Sequence, residues 1–415
     1  MKNFIRSLTP APLLNAYHLV LAYLGALWCG FPSRKLVVIA VTGTKGKSTT
    51  TELIAAVLRA SGKKVAVAST IHFVIGEDEE PNLFKMTMPG RFFLQTFLRR
   101  AVAAGCTYAV IEMTSEGARQ YRHRGIALDA LVFLNLSPEH IESHGSFQKY
   151  GEAKLSLAHA LAGSSKRPRI IVANADDAWG EKFLDVDADI KAPFKVTDAE
   201  PYNVDDKSIR FVWRKTLFSV PMPGLFSLKN CLATLTLGEA LGLPIEQMKK
   251  GLEHIRPIAG RVQRIEQGQP FTVIVDNAHT PDSLEALFEA FKNHRCIGLI
   301  GSMGGGRDTW NRPVKGKIAD TYCDVVIITD EDPCDEDPRA IADALASGAT
   351  RNTPLILMDR REAIGKAFKE AGEGDVVLIT GKGTDPYILG PKGTKTPWSD
   401  ARIAAEELQK LGYHN

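Results

Sequence analysis

One short segment constrains this chain more than any bulk property. Gly43-Thr44-Lys45-Gly46-Lys47-Ser48-Thr49 follows the β-branched run 35–41 (KLVVIAV) and precedes a helical pattern over 50–60. A buried strand that enters a glycine-bearing turn opening a helix is the context of a phosphate-binding loop. Glycine lets backbone N–H groups approach phosphate oxygens, and the helix N-terminus adds a favourable dipole. Lys47 is placed to neutralise the β- and γ-phosphates, and the Ser48 hydroxyl to ligate Mg2+. The longer form of such loops has glycine where this chain has Val41.

Strand alternates with helix around that loop. Strands are expected at 64–69, 108–113, 128–136 and 169–173, with helical patterns between them, as at 91–104. This order predicts a mostly parallel sheet covered on both faces. A polar stretch, 185–219, reads as an irregular or antiparallel insertion. Helices at 230–242 and 245–254 follow, and the pattern changes at 256–260. Strands at 271–275, 296–300, 324–329, 355–358 and 375–380 then alternate with helices. The expected fold is α/β. A P-loop ATPase domain with a mostly parallel sheet would occupy 36–257, and a Rossmann-like doubly wound domain 258–415, after a short apolar segment, 1–35. A length of 415 residues agrees with more than one domain.

Apolar residues make up 44% and charged residues 24%, the balance of a globular protein with real cores. A net charge of +3 without a long basic run supports small anionic substrates and offers no nucleic-acid surface. The six cysteines, Cys29, Cys106, Cys231, Cys296, Cys323 and Cys334, form no CxxC pair, which argues against a zinc knuckle or a disulfide framework. Such scattered thiols fit a reducing cytoplasm. Residues 13–31 are apolar and lack Asp, Glu, Lys and Arg, but Asn15, His18 and Gly25 interrupt them. Two readings stay open: a helix packed on the protein, hiding its apolar side chains, or a helix lying on a membrane surface. A clean span and a signal peptide are disfavoured. The expected location is the cytoplasm, with any membrane contact peripheral; no pattern specifies an oligomeric state.

The loop GTKGKST resembles the GT-x-GK-[ST]-T loop shared by Mur ligases and folylpolyglutamate synthetases. Other segments follow in Mur ligase order. Glu112 ends YAVIEM before Thr114-Ser115. Asn135-Leu136-Ser137-Pro138-Glu139-His140 is similar to NLS-x-DH, and Tyr150-Gly151-Glu152-Ala153-Lys154 to YG-x-AK. The resemblance implies that Lys47, Glu112, His140 and Lys154 carry catalysis. It also implies that Glu112, His140 and a carbamylated Lys154 join Ser48 in holding Mg2+. A carbamate matters physically, because an ammonium would be repelled by the ion, whereas carbamate oxygens suit a hard cation. The implied reaction is ADP-forming amide synthesis: a carboxylate takes the γ-phosphoryl group of ATP, and an amine then displaces phosphate.

On the nucleotide side, Pro223-Gly224-Leu225-Phe226-Ser227-Leu228-Lys229-Asn230 resembles PG-x-FN-xx-N, with Ser227 replacing the first Asn. Gly260-Arg261 resembles a GR motif. Asp276-Asn277-Ala278-His279-Thr280-Pro281 is close to DYAHTP, with Asn277 replacing Tyr. By resemblance, Asn230 meets adenine, Arg261 the phosphates and Asp276 the ribose, with His279 in the same cleft and the loop Gly43, Thr44, Lys45, Gly46, Lys47, Ser48 and Thr49 cradling ATP. Gly304-Gly305-Gly306-Arg307-Asp308 with Arg312-Pro313 looks like GG-x-RD…KRP. Thr329-Asp330-Glu331-Asp332-Pro333, followed by Glu336-Asp337-Pro338, looks like TSDNPR…EDP. Gly381-Lys382-Gly383-Thr384-Asp385 looks like GKGHE. These are features of the branch that adds the third residue of the cell-wall peptide. They imply a UDP-N-acetylmuramoyl-dipeptide-type acceptor near Thr87, Ser115 and Arg122. They also imply an amino-acid pocket from Arg307, Arg312, Glu331, Asp332, Cys334, Gly381 and Asp385.

The departures carry information. The Arg of DNPR is Cys334, and a thiol cannot grip a carboxylate with two hydrogen bonds. Glu331 and Asp385 keep negative charge, so an acidic pocket without its cation is expected to favour an amine-tipped side chain such as lysine, with ornithine also compatible. The short segment 1–35 stands where this branch has a UDP-gripping domain, and Glu116 stands for the His of SSHG. Both leave the acceptor's carrier open. A folylpolyglutamate synthetase-like ligase is the first rival, opposed by the DNPR-like and GKGHE-like segments. A non-enzymatic nucleotide-binding scaffold of cell-wall assembly is the second, opposed by the retained Lys47, Glu112, His140 and Lys154.

Overall fold

The structure, a computed structural model, describes residues 11–139 and 141–414. Helix α1 (Ala11–Trp28) is followed by β1 (Val37–Thr42), α2 (Lys47–Ala60), β2 (Val65–Ala68), β3 (His72–Ile75), β4 (Asp78–Pro81), α3 (Arg91–Ala103), β5 (Tyr108–Glu112), β6 (Ala130–Phe133), α4 (Phe147–Ala162), β7 (Ile170–Asn174) and β8 (Ile190–Phe194). These eight strands form one sheet in the order β4-β3-β2-β5-β1-β6-β7-β8. The six from β2 to β8 along that order run parallel, and β3 and β4 turn back as an antiparallel edge.

Both faces of this sheet are covered, so its inner strands are apolar throughout rather than alternating. In β1, Ile39 and Val41 face one core, shared with Leu53, Val57 and Leu58 of α2. Val38 and Ala40 face the other, with Leu94, Phe97 and Leu98 of α3 and Leu157 and Leu161 of α4. The polar stretch 185–219 divides in two. Its first part supplies the parallel strand β8, and β9 (Tyr202–Val204), β10 (Ile209–Trp213) and β11 (Thr216–Val220) make a separate antiparallel sheet. Helices α5 (Leu225–Ala240) and α6 (Ile245–Glu253) close the first core.

The second sheet has the order β12-β13-β17-β14-β15-β16. It is built from β12 (Gln263–Arg264), β13 (Thr272–Val275), β14 (Cys296–Ile300), β15 (Val325–Ile328), β16 (Leu355–Ile356) and β17 (Val376–Ile379), all parallel except β12. Helices α7 (Pro281–Ala290), α8 (Asn311–Tyr322) and α9 (Pro338–Ala346) cover one face, and α10 (Arg360–Glu370) and the last helix, α11 (Asp400–Lys410), the other. A two-stranded ribbon, β18 (Tyr387–Leu389) with β19 (Lys395–Pro397), precedes α11. The expected α/β class holds: the first sheet is mostly parallel and covered on both faces, and the second is doubly wound.

The packed-helix expectation for 13–31 needs correction. Helix α1 does pack on α3, but it turns its small residues inward. Ala22, Gly25, Ala26 and Cys29 are buried, whereas Leu13, Tyr17, Val20, Leu24, Leu27 and Trp28 are exposed. The backbone approach is close at Gly125, where a Cβ would come 2.7 Å from the Ala26 Cβ, while a Cβ on Gly25 would meet Phe92 at an ordinary 3.5 Å. The large apolar side chains of this helix are therefore not what its packing hides. Among the described residues, no helix is long and apolar enough to cross a membrane.

Candidate active site

Chemistry-bearing residues collect at the carboxyl ends of the parallel strands, where open α/β sheets leave a crevice. Strand β1 feeds the loop 43–46 into α2. No side chain caps that helix, and its N-cap, Gly46, has φ 81°. A Cβ at Gly46 would sit 2.4 Å from Asn230 Oδ1, so glycine is required by conformation and by space. Asn230, expected at adenine, thus lies against the loop itself. The loop is braced by Asn135, whose Oδ1 accepts from the backbone N–H of Thr44 (3.1 Å) and Lys45 (2.9 Å) and whose Nδ2 donates to Lys45 O (3.1 Å). The hydroxyls of Thr44 and Tyr150 meet at 3.1 Å. Thr49 is buried beneath.

Strand β5 delivers Glu112, buried at its end. Its Oε2 accepts from Ser48 Oγ (3.0 Å), Thr70 N (2.8 Å) and Thr70 Oγ1 (3.0 Å). Thr70 Oγ1 also meets Thr87 Oγ1 at 2.8 Å. One chain of hydroxyls and carboxylate therefore runs from the glycine loop to Thr87, which was expected near the acceptor. Lys47 Nζ folds back onto Thr44 O (2.9 Å), and burial pulls its pKa below the usual lysine value.

Lys154, on α4, is buried under the loop. Its Nζ donates to Gly43 O (2.8 Å) and lies 4.8 Å from the centre of the Tyr150 ring. Burial first, and the neighbouring Lys47 second, push its pKa well below the usual value, so its amine is driven toward the neutral form. His140 lies outside the described residues. Among the described residues, no group of three or more His, Cys, Asp or Glu side chains could hold a metal ion. Ser48 and Glu112 nonetheless offer hard oxygen donors beside the phosphate loop, which fits Mg2+. That ion takes one or two carboxylates and completes its shell with phosphates and water.

The second sheet closes over this cluster. Arg261 Nη2 donates to Ser48 Oγ (3.2 Å). His279 Nε2 meets Glu139 Oε1 at 3.1 Å, and the same oxygen accepts from Lys45 Nζ (3.3 Å). Asp276 is held by the backbone N–H groups of Val262 and Ala278, both 2.7 Å from its oxygens, and burial raises its pKa. Gly260, with φ 60°, lets the backbone pass where a Cβ would come within 2.7 Å of Gly383 and Thr384.

Of the residues expected near the acceptor, Ser115 is buried at the start of a short helix whose N-cap, Thr114, accepts from Gly117 N (3.1 Å). Arg122 Nη1 donates to Met88 O, and Nη2 to Gln120 Oε1 (2.7 Å), which fixes it to the 86–89 turn.

The amino-acid side departs from expectation. Glu331 and Asp385 were expected to form an acidic pocket without its cation, but Asp385 is ion-paired, and so is Asp332 beside it. Lys382 Nζ donates to Asp332 Oδ1 (2.9 Å) and Asp385 Oδ2 (3.4 Å). Lys85, reaching across from the turn after β4, binds Asp332 and sits 2.8 Å from Asp385. Burial opposes a charge on Lys85, but Asp385 and Asp332 outweigh it and raise its pKa. Glu331 is the acid left with an unsatisfied oxygen, although the charges of Lys315 and Arg360 lie within its electrostatic reach. It is buried against Gly301 and Gly381, and among the described residues its Oε2 has no hydrogen-bond partner. Cys334 is half-buried beside Gly305. Arg307 is exposed and contacts Met303 Sδ at 3.2 Å, and Arg312 pairs with Glu336 at 2.8 Å. Sequence reasoning missed Asn135, Glu139, Thr70, Lys85 and Lys382. Asn135, Glu139 and Lys382 lay inside segments it had quoted. Nothing local marked Thr70 or Lys85.

Two protein-family models match the chain: the Mur ligase middle domain over residues 41–238, and the Mur ligase glutamate ligase domain over 260–383. The chain is 38% identical over 436 aligned positions to a UDP-N-acetylmuramyl-tripeptide synthetase of Roseiflexus sp. (strain RS-1), covering 97% of this chain and 85% of that protein. It is 32% identical over 391 positions to a UDP-N-acetylmuramoyl-L-alanyl-D-glutamate–2,6-diaminopimelate ligase of Halalkalibacterium halodurans, covering 91% and 79%. Among solved structures, a UDP-N-acetylmuramoyl-L-alanyl-D-glutamate–2,6-diaminopimelate ligase superposes with TM-score 0.61 at 28% identity, covering 91% and 79%. A folylpolyglutamate synthase of Mycobacterium tuberculosis superposes with TM-score 0.72 at 15% identity, covering 96% of each chain, which is a likeness of fold.

Proposed function

This chain belongs to the Mur ligase family, and on that premise we propose that it adds a diamino acid, L-lysine first among them, to a UDP-N-acetylmuramoyl-dipeptide-type acceptor. As a Mur-type enzyme it is an ATP-dependent peptide ligase of peptidoglycan precursor synthesis. The unit 36–257 is assigned the nucleotide and acceptor, and 258–415 the amino acid.

The observation that carries the ligase reading is the convergence of Lys47, Ser48, Glu112 and Arg261 on one loop. Ser48 Oγ touches both the Glu112 carboxylate and the Arg261 guanidinium. ATP and the acceptor carboxylate are both anions, so bringing them together requires positive charge placed in advance. Lys47, at the start of α2, and Arg261, reaching Ser48 from the second unit, would supply it. Ser48 and Glu112 would hold Mg2+, with His140 as a further ligand; the ion supplies charge neutralisation at the phosphates. A neutral Lys154 amine is the form that adds carbon dioxide: the nitrogen forms a bond to carbon, a proton leaves, and the side chain becomes an anionic carbamate. Its burial beside Gly43 favours that neutral form.

For the amino acid, the partnerless Glu331 Oε2 supports an ammonium-tipped side chain, which would satisfy it. Asp332 and Asp385, already neutralised, are assigned to shaping the pocket. The test is ADP and peptide formation with purified acceptor and each of lysine, ornithine and meso-diaminopimelate. Preference for meso-diaminopimelate would sink the lysine assignment. Absence of turnover with every UDP-linked dipeptide acceptor would sink the acceptor assignment.

A further inference from the structure

Helix α1 is sorted the wrong way round for a helix whose outer face meets water. Residues that a soluble protein would bury (Leu13, Tyr17, Val20, Leu24, Leu27 and Trp28) point outward, and Trp28 is 79% exposed. They recur at the spacing of one helical face. The inward face is Ala22, Gly25, Ala26 and Cys29, which seat against α3 and the turn at Gly125. Small residues toward protein and large apolar residues outward is the arrangement expected where the outer phase is hydrocarbon. Single exposed apolar residues need no explanation, but a continuous stripe along a whole helix does.

Charge decides what covers the stripe. No Asp or Glu occurs before Glu52, while Lys2, Arg6, Arg34 and Lys35 flank the apolar run. Arg34 and Lys35 are exposed in the turn of 3-10 helix after α1. Helix α3 also lacks acidic residues, and Arg99 is exposed on the face that carries Phe92 and Thr96 toward α1. A second copy docking through the same face about a two-fold axis would set these like charges against each other. An anionic surface would be attracted. The helix is about 27 Å long at 1.5 Å per residue, and one side is held by α3, so it lies along a surface rather than across it.

We infer that the outer face of α1, rimmed by Arg34, Lys35 and Arg99, docks this protein on the surface of a bilayer containing anionic lipid. Tyr17 and Trp28 suit the headgroup boundary, where amphipathic rings collect. The contact sits beside the acceptor side of the site: Arg91 Nη2 bonds both His18 Nδ1 of α1 and Gln120 O, each at 2.8 Å.

The experiment is flotation of the full chain with vesicles of phosphatidylethanolamine and phosphatidylglycerol, and with phosphatidylcholine vesicles, at low and high salt. Wild type should float with the anionic vesicles, less so at high salt. Its tryptophan emission should shift to the blue, and the shift should disappear in Trp28→Phe. The double variant Val20→Glu/Leu24→Glu changes only exposed side chains. It should melt at the wild-type temperature and lose bound fraction by about tenfold or more. Wild type remaining at the bottom of the gradient with every vesicle overturns the inference, as does equal flotation of the double variant. If the double substitution instead converts a lipid-free dimer to monomer in sedimentation, the face belongs to a second copy and the membrane assignment fails.

Discussion

Replacing Lys85 by Met tests the charge arrangement of the proposed amino-acid pocket. Met keeps an unbranched stem and removes only the ammonium. Asp332 would retain Lys382 at 2.9 Å and the Leu389 N–H at 2.6 Å, so it stays satisfied. Asp385 would keep only the longer contact to Lys382, 3.4 Å. The pocket, where Glu331 Oε2 already lacks a hydrogen bond among the described residues, would gain one net negative charge. At an effective dielectric near 20, that charge acts on a substrate ammonium roughly 4–10 Å away with about 1.5–4 kcal/mol. Partial solvent access puts the observable effect toward the lower end, about tenfold. Lys85 also ties the two sheets together, and losing that tie should lower kcat/KM for every amino acid alike. The ratio of kcat/KM for lysine to that for meso-diaminopimelate cancels the shared loss. It should rise by about tenfold, because the distal ammonium of diaminopimelate carries its own carboxylate. Lys85→Arg, which keeps the charge, should leave the ratio near wild type. A ratio that is unchanged or falls in Lys85→Met, with the protein still folded, would refute the reasoning.

Three further outcomes follow from the site. Lys154→Ala should abolish turnover without unfolding the protein, and small carboxylic acids should restore part of it by refilling the anionic position; undiminished activity would remove Lys154 from the centre. Cys334→Arg should shift preference toward meso-diaminopimelate by roughly ten- to hundredfold, the value of one charge-assisted hydrogen bond of about 1.5–3 kcal/mol, read from competing-substrate assays. Burial pushes Lys315 down to about 8 from 10.5. Between those values the unfolded chain binds the extra proton, so this residue's destabilising contribution, about 3 kcal/mol below pH 8, is relieved as pH rises toward 10.5. Urea unfolding of Lys315→Met should therefore show a stability advantage over wild type that shrinks across that window; a constant difference would contradict the shift.

Much of the framework was legible because parallel strands buried on both faces are written as short β-branched runs. The runs at 35–41, 108–113, 296–300 and 375–380 each yielded a strand at nearly the expected place. Strand β8 was not legible, because Lys191 and Pro193 sit in it and its outer edge is unpaired, so little apolar pattern marks it. The β3–β4 hairpin was hidden for the same reason: β4 is Asp-Glu-Glu-Pro. In the site, residues carried by contiguous motifs could be named in advance. Lys85 and Asp332 are 247 positions apart, and nothing in the local sequence around either foretells their pairing. The sorting of α1 was equally opaque. The segment is apolar on all sides, so its periodicity could not tell the packed face from the exposed one.

The composition of β4 has a consequence for how many copies of this protein can crowd together. As one of the two edge strands of the large sheet, it offers unpaired backbone groups to any strand that approaches, the usual seed of edge-to-edge polymerisation. Its four residues, Asp78, Glu79, Glu80 and Pro81, are all exposed. Pro81 cannot donate to a new ladder, and three neighbouring carboxylates repel the same strand of another copy. Glu79 and Glu80 are additionally drawn back onto their own chain by His72 (2.6 Å) and Arg100 (3.0 Å). The sheet thus carries its own colloidal stabiliser at this one of its two margins. Neutralising Asp78, Glu79 and Glu80 together should leave catalysis intact and lower the concentration at which the protein precipitates.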